Sequence, residues 1–416
     1  MSANKKKILL LSDHMLSVSG VGTQSRHLVE GLVKKGKWSF RQLGAAIKHS
    51  NYDTIVVNPD IIIKPIDGFG DRDTLRLILA QEKPDAVMIF TDPRFFIWLF
   101  EMEDEIHQVC PIVWWHVWDN RPTPVFNNPL YEATDLINCH SYLTYEMCKE
   151  NFPEKTNFVP HGVPKDVFFP LSPEEKMSYR DMILGPDKRD HFVAIWVNRN
   201  AKRKRSNDVI VAWSQFLNEL EKKHGHRKAS LIMHTDPFDQ EGPNLVYVSN
   251  QYGVGQNVIF SKDRIDFNKM NVLYNISDFC LNISFAEGFG LGTLEAMQSG
   301  IPIVAIKTGG LTRQVVDHRD GTENGVALPV EFTTIVGSQQ VPSIAEDYVS
   351  CQTVANAMMK LHDMGEVERK NLGMKARNYA LSEFSLDKTI DMWDETLERT
   401  IENWKKNYNR WRHDEI

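Results

Sequence analysis

Residues 279–306 read FCLNISFAEGFGLGTLEAMQSGIPIVAI, and the alternation inside this stretch decides the fold. Phe279 to Ile283 is an apolar run of strand length. A glycine-rich loop follows, then Leu291 to Gln298 with helical character, then Ile301 to Ile306 as a second apolar run. Strand, helix and strand in succession form a crossover unit, which joins parallel strands. Because both runs are continuously apolar and do not alternate, each strand is expected to be covered on both faces.

The same plan extends in both directions. Upstream, Phe192 to Val197, Leu231 to Met233 and Val258 to Phe260 read as strands. Asn207 to Gly225 reads as a helix with Val209, Ile210, Trp213, Phe216, Leu217 and Leu220 on one face, and Met270 to Asn275 as another. Downstream, Gly309-Gly310 opens a short helix through Asp317. The first half repeats the theme with strands at Lys7 to Leu11, Thr54 to Val57, Ala86 to Phe90, Ile112 to Trp115 and Leu136 to Cys139. A helix carrying Leu28, Val29, Leu32 and Val33 follows Ser19-Gly20-Val21-Gly22-Thr23 and is stopped by Gly36. The fold expected is α/β, with two Rossmann-like domains: 1–170 and 171–385. Leu386 to Arg412 is one long helical pattern with Trp393, Trp404, Tyr408 and Trp411, and so many indoles imply that residues 386–416 pack back on the first domain.

Composition limits the alternatives. The chain has 416 residues, 42% of them hydrophobic and 25% charged, at a net charge of −7. These values exclude a disordered chain, a collagen and a coiled-coil rod. They give no overall basic field of the kind that marks nucleic-acid binders. Five cysteines without a C-x-x-C pair argue against a disulfide framework or a zinc site and for a reducing compartment. The apolar run at Ile8 to Leu11 is too short for a signal peptide, and no stretch approaches a membrane span. A cytoplasmic protein is expected. No repeat of fixed period is present, which excludes a solenoid.

Ligands of open α/β sheets sit beyond the carboxyl ends of the strands. Three loops fall there in the second half. One is Asn198-Arg199-Asn200-Ala201-Lys202-Arg203-Lys204-Arg205, with five cations in seven positions from Arg199. The next runs from Ser284 through Glu287, Gly288, Phe289, Gly290 and Leu291 to Glu295, and the third is Lys307-Thr308-Gly309-Gly310. Each has a plain alternative: a solvated basic turn, a tight strand-to-helix connection, surface acids. Their shared placement instead describes a site for phosphates and hydroxyls. Arg199 and Lys204 suit a diphosphate, the helix from Leu291 adds its dipole, and Glu287 and Glu295 suit a sugar and a ribose.

These residues carry a resemblance. The Glu287-x7-Glu295 segment is similar to the signature of retaining glycosyltransferases of the GT-B fold, family 4 type (glycosyl transferases group 1). Arg199 and Lys204 resemble that family's donor-domain pair. Pro160-His161-Gly162-Val163 with Phe168 and Pro170 resembles the segment closing its first domain, Ser19 to Thr23 its Gly-rich loop, and Gly309-Gly310 its late turn. The matching segments run from about residue 8 to 317.

The resemblance implies a first domain that binds the acceptor, a second that binds a nucleotide-diphosphate sugar, UDP- or GDP-linked, and catalysis in a cleft between them with retention of configuration. Glu287, His116, Arg199 and Lys204 are then the catalytic candidates. Gly20, Gly22, Arg199, Lys204, Gly288, Phe289, Gly290, Leu291 and Glu295 are the donor-binding candidates. The family is not known for a dedicated nucleophile, and the leaving phosphate is thought to help deprotonate the acceptor. No cofactor beyond the donor substrate and no metal are expected, since cationic side chains neutralise the diphosphate and the sequence is read as holding no Asp-x-Asp metal motif. The chain departs from the pattern at Arg205, where a Gly is usual, at His161 and Pro164, and at Arg313, where an acid is common.

His116 follows a strand and should reach the cleft; its alternative is a hydrogen-bonded histidine packed among tryptophans. Asp92, Arg94, Trp118, Asp119 and Asn120 are acceptor candidates, although aromatic runs such as Trp114, Trp115 and Trp118 also build cores. The acceptor stays open: a polysaccharide or lipid-linked sugar is favoured, with a hydroxymethylated base in DNA, as in phage enzymes, as the alternative. A nucleotide-sugar-binding module without transfer would keep Arg199, Lys204 and Glu295 but not the reacting groups. A dinucleotide oxidoreductase is disfavoured, because Gly20-Val21-Gly22 lacks the third glycine of G-x-G-x-x-G.

Overall fold

The computed structural model describes residues 5–262 and 265–407. Its internal contacts divide the chain into two units: one of residues 1–162 with 386–416, the other of residues 163–385. Sequence reading put the first boundary at 170. The segment from Val163 goes with the second unit because Val163 and Phe168 sit in that unit's core, Phe168 stacking edge-on to Phe267 and Tyr274.

The first unit is built on eight strands: β1 (Lys6–Asp13), β2 (Trp38–Ala45), β3 (Ile55–Asn58), β4 (Ile61–Pro65), β5 (Ala86–Phe90), β6 (Ile112–His116), β7 (Leu136–Cys139) and β8 (Thr156–Phe158). Their spatial order is β3-β4-β2-β1-β5-β6-β7-β8, parallel throughout except for the edge strand β3. Burial on both faces is literal in β1: Leu9 and Leu11 enter one core, Ile8 and Leu10 the other. Into the second of these cores the helix Leu386–Asn407 sends Trp393, Leu397 and Ile401. Lys6 and Lys37 meet Glu398, Lys35 meets Asp391, and the Trp38 indole donates to Asp394 at 2.6 Å. The tail thus packs on the first unit; Tyr408 and Trp411 of the expected pattern lie outside the described residues.

The second unit has six parallel strands: β9 (Phe192–Val197), β10 (Ala229–His234), β11 (Val258–Ser261), β12 (Phe279–Asn282), β13 (Ile303–Ile306) and β14 (Gly325–Leu328), in the order β11-β10-β9-β12-β13-β14. A hairpin of β15 (Phe332–Val336) and β16 (Ile344–Tyr348) follows, then helices Cys351–Asp363 and Gly365–Glu383. The order reverses direction at β9 and β12, so the loops after these two strands leave neighbouring positions. That reversal is where open α/β sheets bind ligands.

Candidate active site

At the carboxyl edge of the second unit, the loops after β9, β12 and β13 are stitched into one surface. Phe285 N–H donates to the Arg203 carbonyl at 3.0 Å, and the Arg203 guanidinium donates to the Ala286 carbonyl at 2.6 Å. From the third loop, Gly310 N–H donates to the Glu287 carbonyl at 2.9 Å. The approach is close enough to demand glycine, since a Cβ on Gly310 would lie 2.5 Å from the Gly288 carbonyl oxygen. Thr308 and Phe285 are further tied to Asp347 of the hairpin, at 2.7 and 2.8 Å.

This stitching brings Lys204 and Glu287 into an ion pair, both side chains almost fully buried. Burial alone would push the Glu287 carboxyl up, but Lys204 and Arg203 overcome it and hold the group below the usual carboxylate range. Ser284 adds a hydroxyl donor at 3.3 Å. The pair joins an ammonium fit for an anion to a carboxylate fit for hydroxyls.

Arg199 is placed differently. It lines one recess of about 460 Å³ with Lys202, Lys204 and Glu241, yet its guanidinium is given to Asp239 at 2.7 and 3.2 Å and to Glu241 at 3.2 Å. It is 60% exposed, so it can swing toward an anion only by leaving those partners. Asn200, wholly buried between Pro243 and Ser206, pins the loop and was not singled out in the sequence.

Arg205, the departure from the family's glycine, has φ +54° and ψ +38°. The turn is therefore the left-handed one that glycine would make. Arg205 supports it by burying its side chain against Phe285 and Tyr348 and donating to Asp208 and to the Val349 carbonyl. Its charge is spent there, which excludes it from a phosphate shell in this arrangement. Arg313, another of the departures, pairs with Glu383 at 2.8 Å and His318 at 2.9 Å.

The helix Leu291–Gln298 starts at Gly290, with φ +91° and no side-chain cap. A Cβ there would meet Leu311 at 2.5 Å and Thr293 at 2.8 Å. Its first N–H groups are consequently available to an anion, as at other uncapped helix starts. Gln314, wholly buried and missed in the sequence, holds this loop by donating to the Phe289 carbonyl at 2.7 Å and accepting from Thr293 at 2.6 Å. Phe289 turns its ring into the core against Phe384, so only its backbone can face a ligand. Glu295 accepts from the Tyr274 hydroxyl at 2.6 Å. Burial pushes its carboxyl up to about 7, the Tyr274 hydrogen bond opposing that in part.

In the first unit several expectations need correcting. The N–H of Gly22 donates to Ser19 Oγ at 2.9 Å, an N-cap bond, and is not open to a diphosphate. Gly22 is required for space, a Cβ there lying 2.6 Å from the His14 carbonyl oxygen. Gly20 is exposed at the helix start and keeps its candidacy. His116 is wholly buried, at 2.8 Å from the Tyr131 hydroxyl and between the Trp114 and Tyr131 rings. It takes the packed alternative and is not presented to a substrate. Trp118 is likewise buried, against Phe126.

Asp92 and Arg94 do come together, with Nε at 2.9 Å from both carboxylate oxygens, and Asp119 reinforces the Arg94 charge. Asn120 is buried and accepts from the Arg121 N–H at 2.9 Å. Sequence reading ended the first strand at Leu11 and so overlooked Asp13 and His14, which lie buried where β1 ends. Asp13 accepts from the Ser19 hydroxyl at 2.6 Å, and burial raises its carboxyl. His140 and His161, which follow β7 and β8, are buried with rings 4.8 Å apart.

For metals, one Asp-x-Asp triplet does occur, Asp71-Arg72-Asp73, but Asp71 caps a helix through Thr74 and Asp73 meets Arg76. Among the described residues the one group that could gather on an ion is His224, His362 and Asp363. Lys223 sits 2.5 Å from the other Asp363 oxygen.

Residues 186–331 match the family model described as Glycosyl transferases group 1. That stretch is similar to the domain of group 1 glycosyltransferases. Its relatives include an N-acetyl-alpha-D-glucosaminyl L-malate synthase of Bacillus anthracis, 25% identical over 65% of this chain and 62% of the relative. A D-inositol 3-phosphate glycosyltransferase 2 of Catenulispora acidiphila is 28% identical over 44% of this chain and 42% of the relative. The chain thus spans less than two thirds of these relatives' lengths. Among solved structures, a sucrose-phosphate synthase from Thermosynechococcus elongatus matches with TM-score 0.71 at 16% identity, over 95% of this chain and 99% of that one. Anabaena Alr3699/HepE in complex with UDP and glucose matches with TM-score 0.69 at 16% identity, over 95% and 100%. The fold is accordingly the GT-B fold of glycosyltransferases. No helix among the described residues is long and apolar enough to cross a membrane.

Proposed function

We propose that this protein is a retaining, metal-independent glycosyltransferase of the cytoplasm that moves a sugar from a nucleotide-diphosphate sugar, UDP- or GDP-linked, to an acceptor hydroxyl. The observation that carries the reading is the Lys204–Glu287 pair, assembled from two loops at the reversal point of the second sheet, beside the uncapped start of the helix Leu291–Gln298. As the bond to the anomeric carbon breaks, negative charge grows on the diphosphate. Lys204 and the helix N–H groups meet that charge, and Arg199 can join on release from Asp239. Glu287, kept ionised by its partner, accepts hydrogen bonds from the sugar hydroxyls, and Glu295 does the same for the ribose. The solved structure of Anabaena Alr3699/HepE is a complex with UDP and glucose, which supports the donor class.

The acceptor is a hydroxyl compound, with carbohydrate and lipid-linked sugars first. The relatives' names add malate and inositol phosphate, small acidic hydroxyl compounds, to those worth trying. Incubation of the full chain with UDP-, GDP-, ADP- and CMP-sugars should release free nucleotide slowly with one of them and faster with its acceptor. Neither binding nor release with any would refute the reading.

A further inference from the structure

The second unit holds another charged concavity, at the opposite edge of the same sheet. A cavity of about 520 Å³ opens at the amino ends of β10, β9, β12 and β13, where Lys228, Phe192, Asp278 and Pro302 line it. The strands are about six residues long, which places it roughly 20 Å from the donor loops. Six cations and three carboxylates form its walls, a formal net of +3: Lys176, Arg180, Arg189, Lys228, Arg369 and Lys370 against Asp190, Asp278 and Glu366.

Arg189 is taken by Asp181, just outside the lining, but the carboxylates do not silence the other cations. Asp278 is fully occupied within the wall: it takes Arg180 at 2.8 Å, faces Arg369 at 3.6 Å and accepts the Val193 N–H at 2.8 Å. Arg369 nevertheless keeps a buried Nε with no hydrogen-bond partner. The ammonium of half-buried Lys176 makes no hydrogen bond or ion pair among the described residues and only senses Asp278 and Glu366 at a distance. Burial pulls its ammonium down, an unfavourable situation that an anion beside it would relieve. Two long helices begin at this cavity; Pro173–Leu184 is closed by its Ser172–Glu175 capping box, whereas Gly365–Glu383 has no side-chain cap and adds the positive end of its dipole.

From the cavity, its excess of cations, the unpartnered Lys176 ammonium and Arg369 Nε, and the uncapped start of Gly365–Glu383, we infer that this is a second anion site on the second unit, which takes a small phosphate monoester. Its volume suits a molecule of sugar-phosphate size. Arg180 and Arg369 build the wall with Asp278, and Lys176 and Lys370 supply the charge that the phosphate neutralises.

Calorimetric titration of the full chain with inorganic phosphate and with a hexose monophosphate, at fixed ionic strength, tests this. Saturable binding is expected, with its affinity lowered at least about ten-fold by Lys176→Gln combined with Lys370→Gln. Lys370→Glu alone, at an exposed position, should weaken it in the same direction without disturbing the fold. Absence of saturable binding, or an affinity unaltered by these variants, overturns the inference and leaves the cluster as a wall of structural ion pairs. Binding that falls with Lys204→Ala in place of the Lys176 and Lys370 variants assigns the anion to the donor loops and overturns it equally. The result does not depend on the donor assignment, which Lys204 variants report separately.

Discussion

Removing the Lys204 ammonium would leave Glu287 as a buried carboxylate without its ion-pair partner. Loss of one member of such a pair costs on the order of 3–5 kcal/mol. Lys204→Ala is therefore expected to lose both stability and transfer, the latter by roughly 100-fold or more for a lost transition-state donor. Combining it with Glu287→Gln should restore much of the stability, by denaturant titration, and none of the activity. The Glu287 carboxyl is held below its ordinary range in the folded chain. Its contribution to stability is thus present above that range and lost as pH falls through the folded value, a loss that Glu287→Gln should lack.

Glu295 has the opposite sign. With its carboxyl raised to about 7, it is half protonated near neutrality and accepts hydroxyl hydrogen bonds fully only above that. Affinity for a nucleotide sugar should rise between pH 6 and 8, and Glu295→Gln should flatten the rise. The same shift means the folded chain holds this proton more tightly than the unfolded one, so its stabilising share falls as pH rises from the ordinary carboxylate range to about 7. At Arg205, the left-handed backbone predicts that Arg205→Gly is more stable than Arg205→Ala by about 1 kcal/mol; comparison of unfolding midpoints decides it. Residue placements were legible where the strand order sets the partner, as for Lys204 and Glu287. They were not where a distant loop supplies the partner, as Asp239 does for Arg199 and Tyr131 for His116.

Among the elements, the helix Leu386–Asn407 owes its seat to a missing side chain. A Cβ on Gly31 would lie 2.2 Å from Ile390 Cδ1 and 2.6 Å from Cγ1, so the whole Ile390 side chain blocks any larger residue. Gly31→Val should cost about 1–3 kcal/mol, and Ile390→Ala in the same chain should return part of it, as unfolding midpoints would show. The strands legible in the sequence were the uniformly apolar ones. β2 was missed although it lies beside β1 at the centre of its sheet, because Ser39, Arg41 and Gln42 interrupt its pattern. The structure shows why the interruption is tolerated: the buried Gln42 amide donates to Ser12 Oγ at 2.7 Å and to the Asp13 carbonyl at 2.8 Å. A polar residue whose partners come from the neighbouring strand leaves no mark in local periodicity. β4, ending in Lys64-Pro65, and the three-residue β8 escaped for related reasons.

For the molecule as a whole, the net charge of −7 conceals two local cationic regions on one sheet, at opposite edges. Neither is broad, which favours small phosphorylated ligands over a polyanion. If DNA were the acceptor, binding through several phosphates would weaken steeply with salt, whereas a pocket-bound donor would respond weakly. In the proposed function Lys204 and Glu287 form the reacting edge of a nucleotide-sugar site. Nucleotide release from a panel of UDP-, GDP-, ADP- and CMP-sugars, measured on the full wild-type chain and on Lys204→Ala, tests this most directly. Release is expected from one nucleotide class, reduced roughly 100-fold or more by the substitution. Release that persists at the wild-type rate in Lys204→Ala, or no release and no binding with any donor, would contradict it.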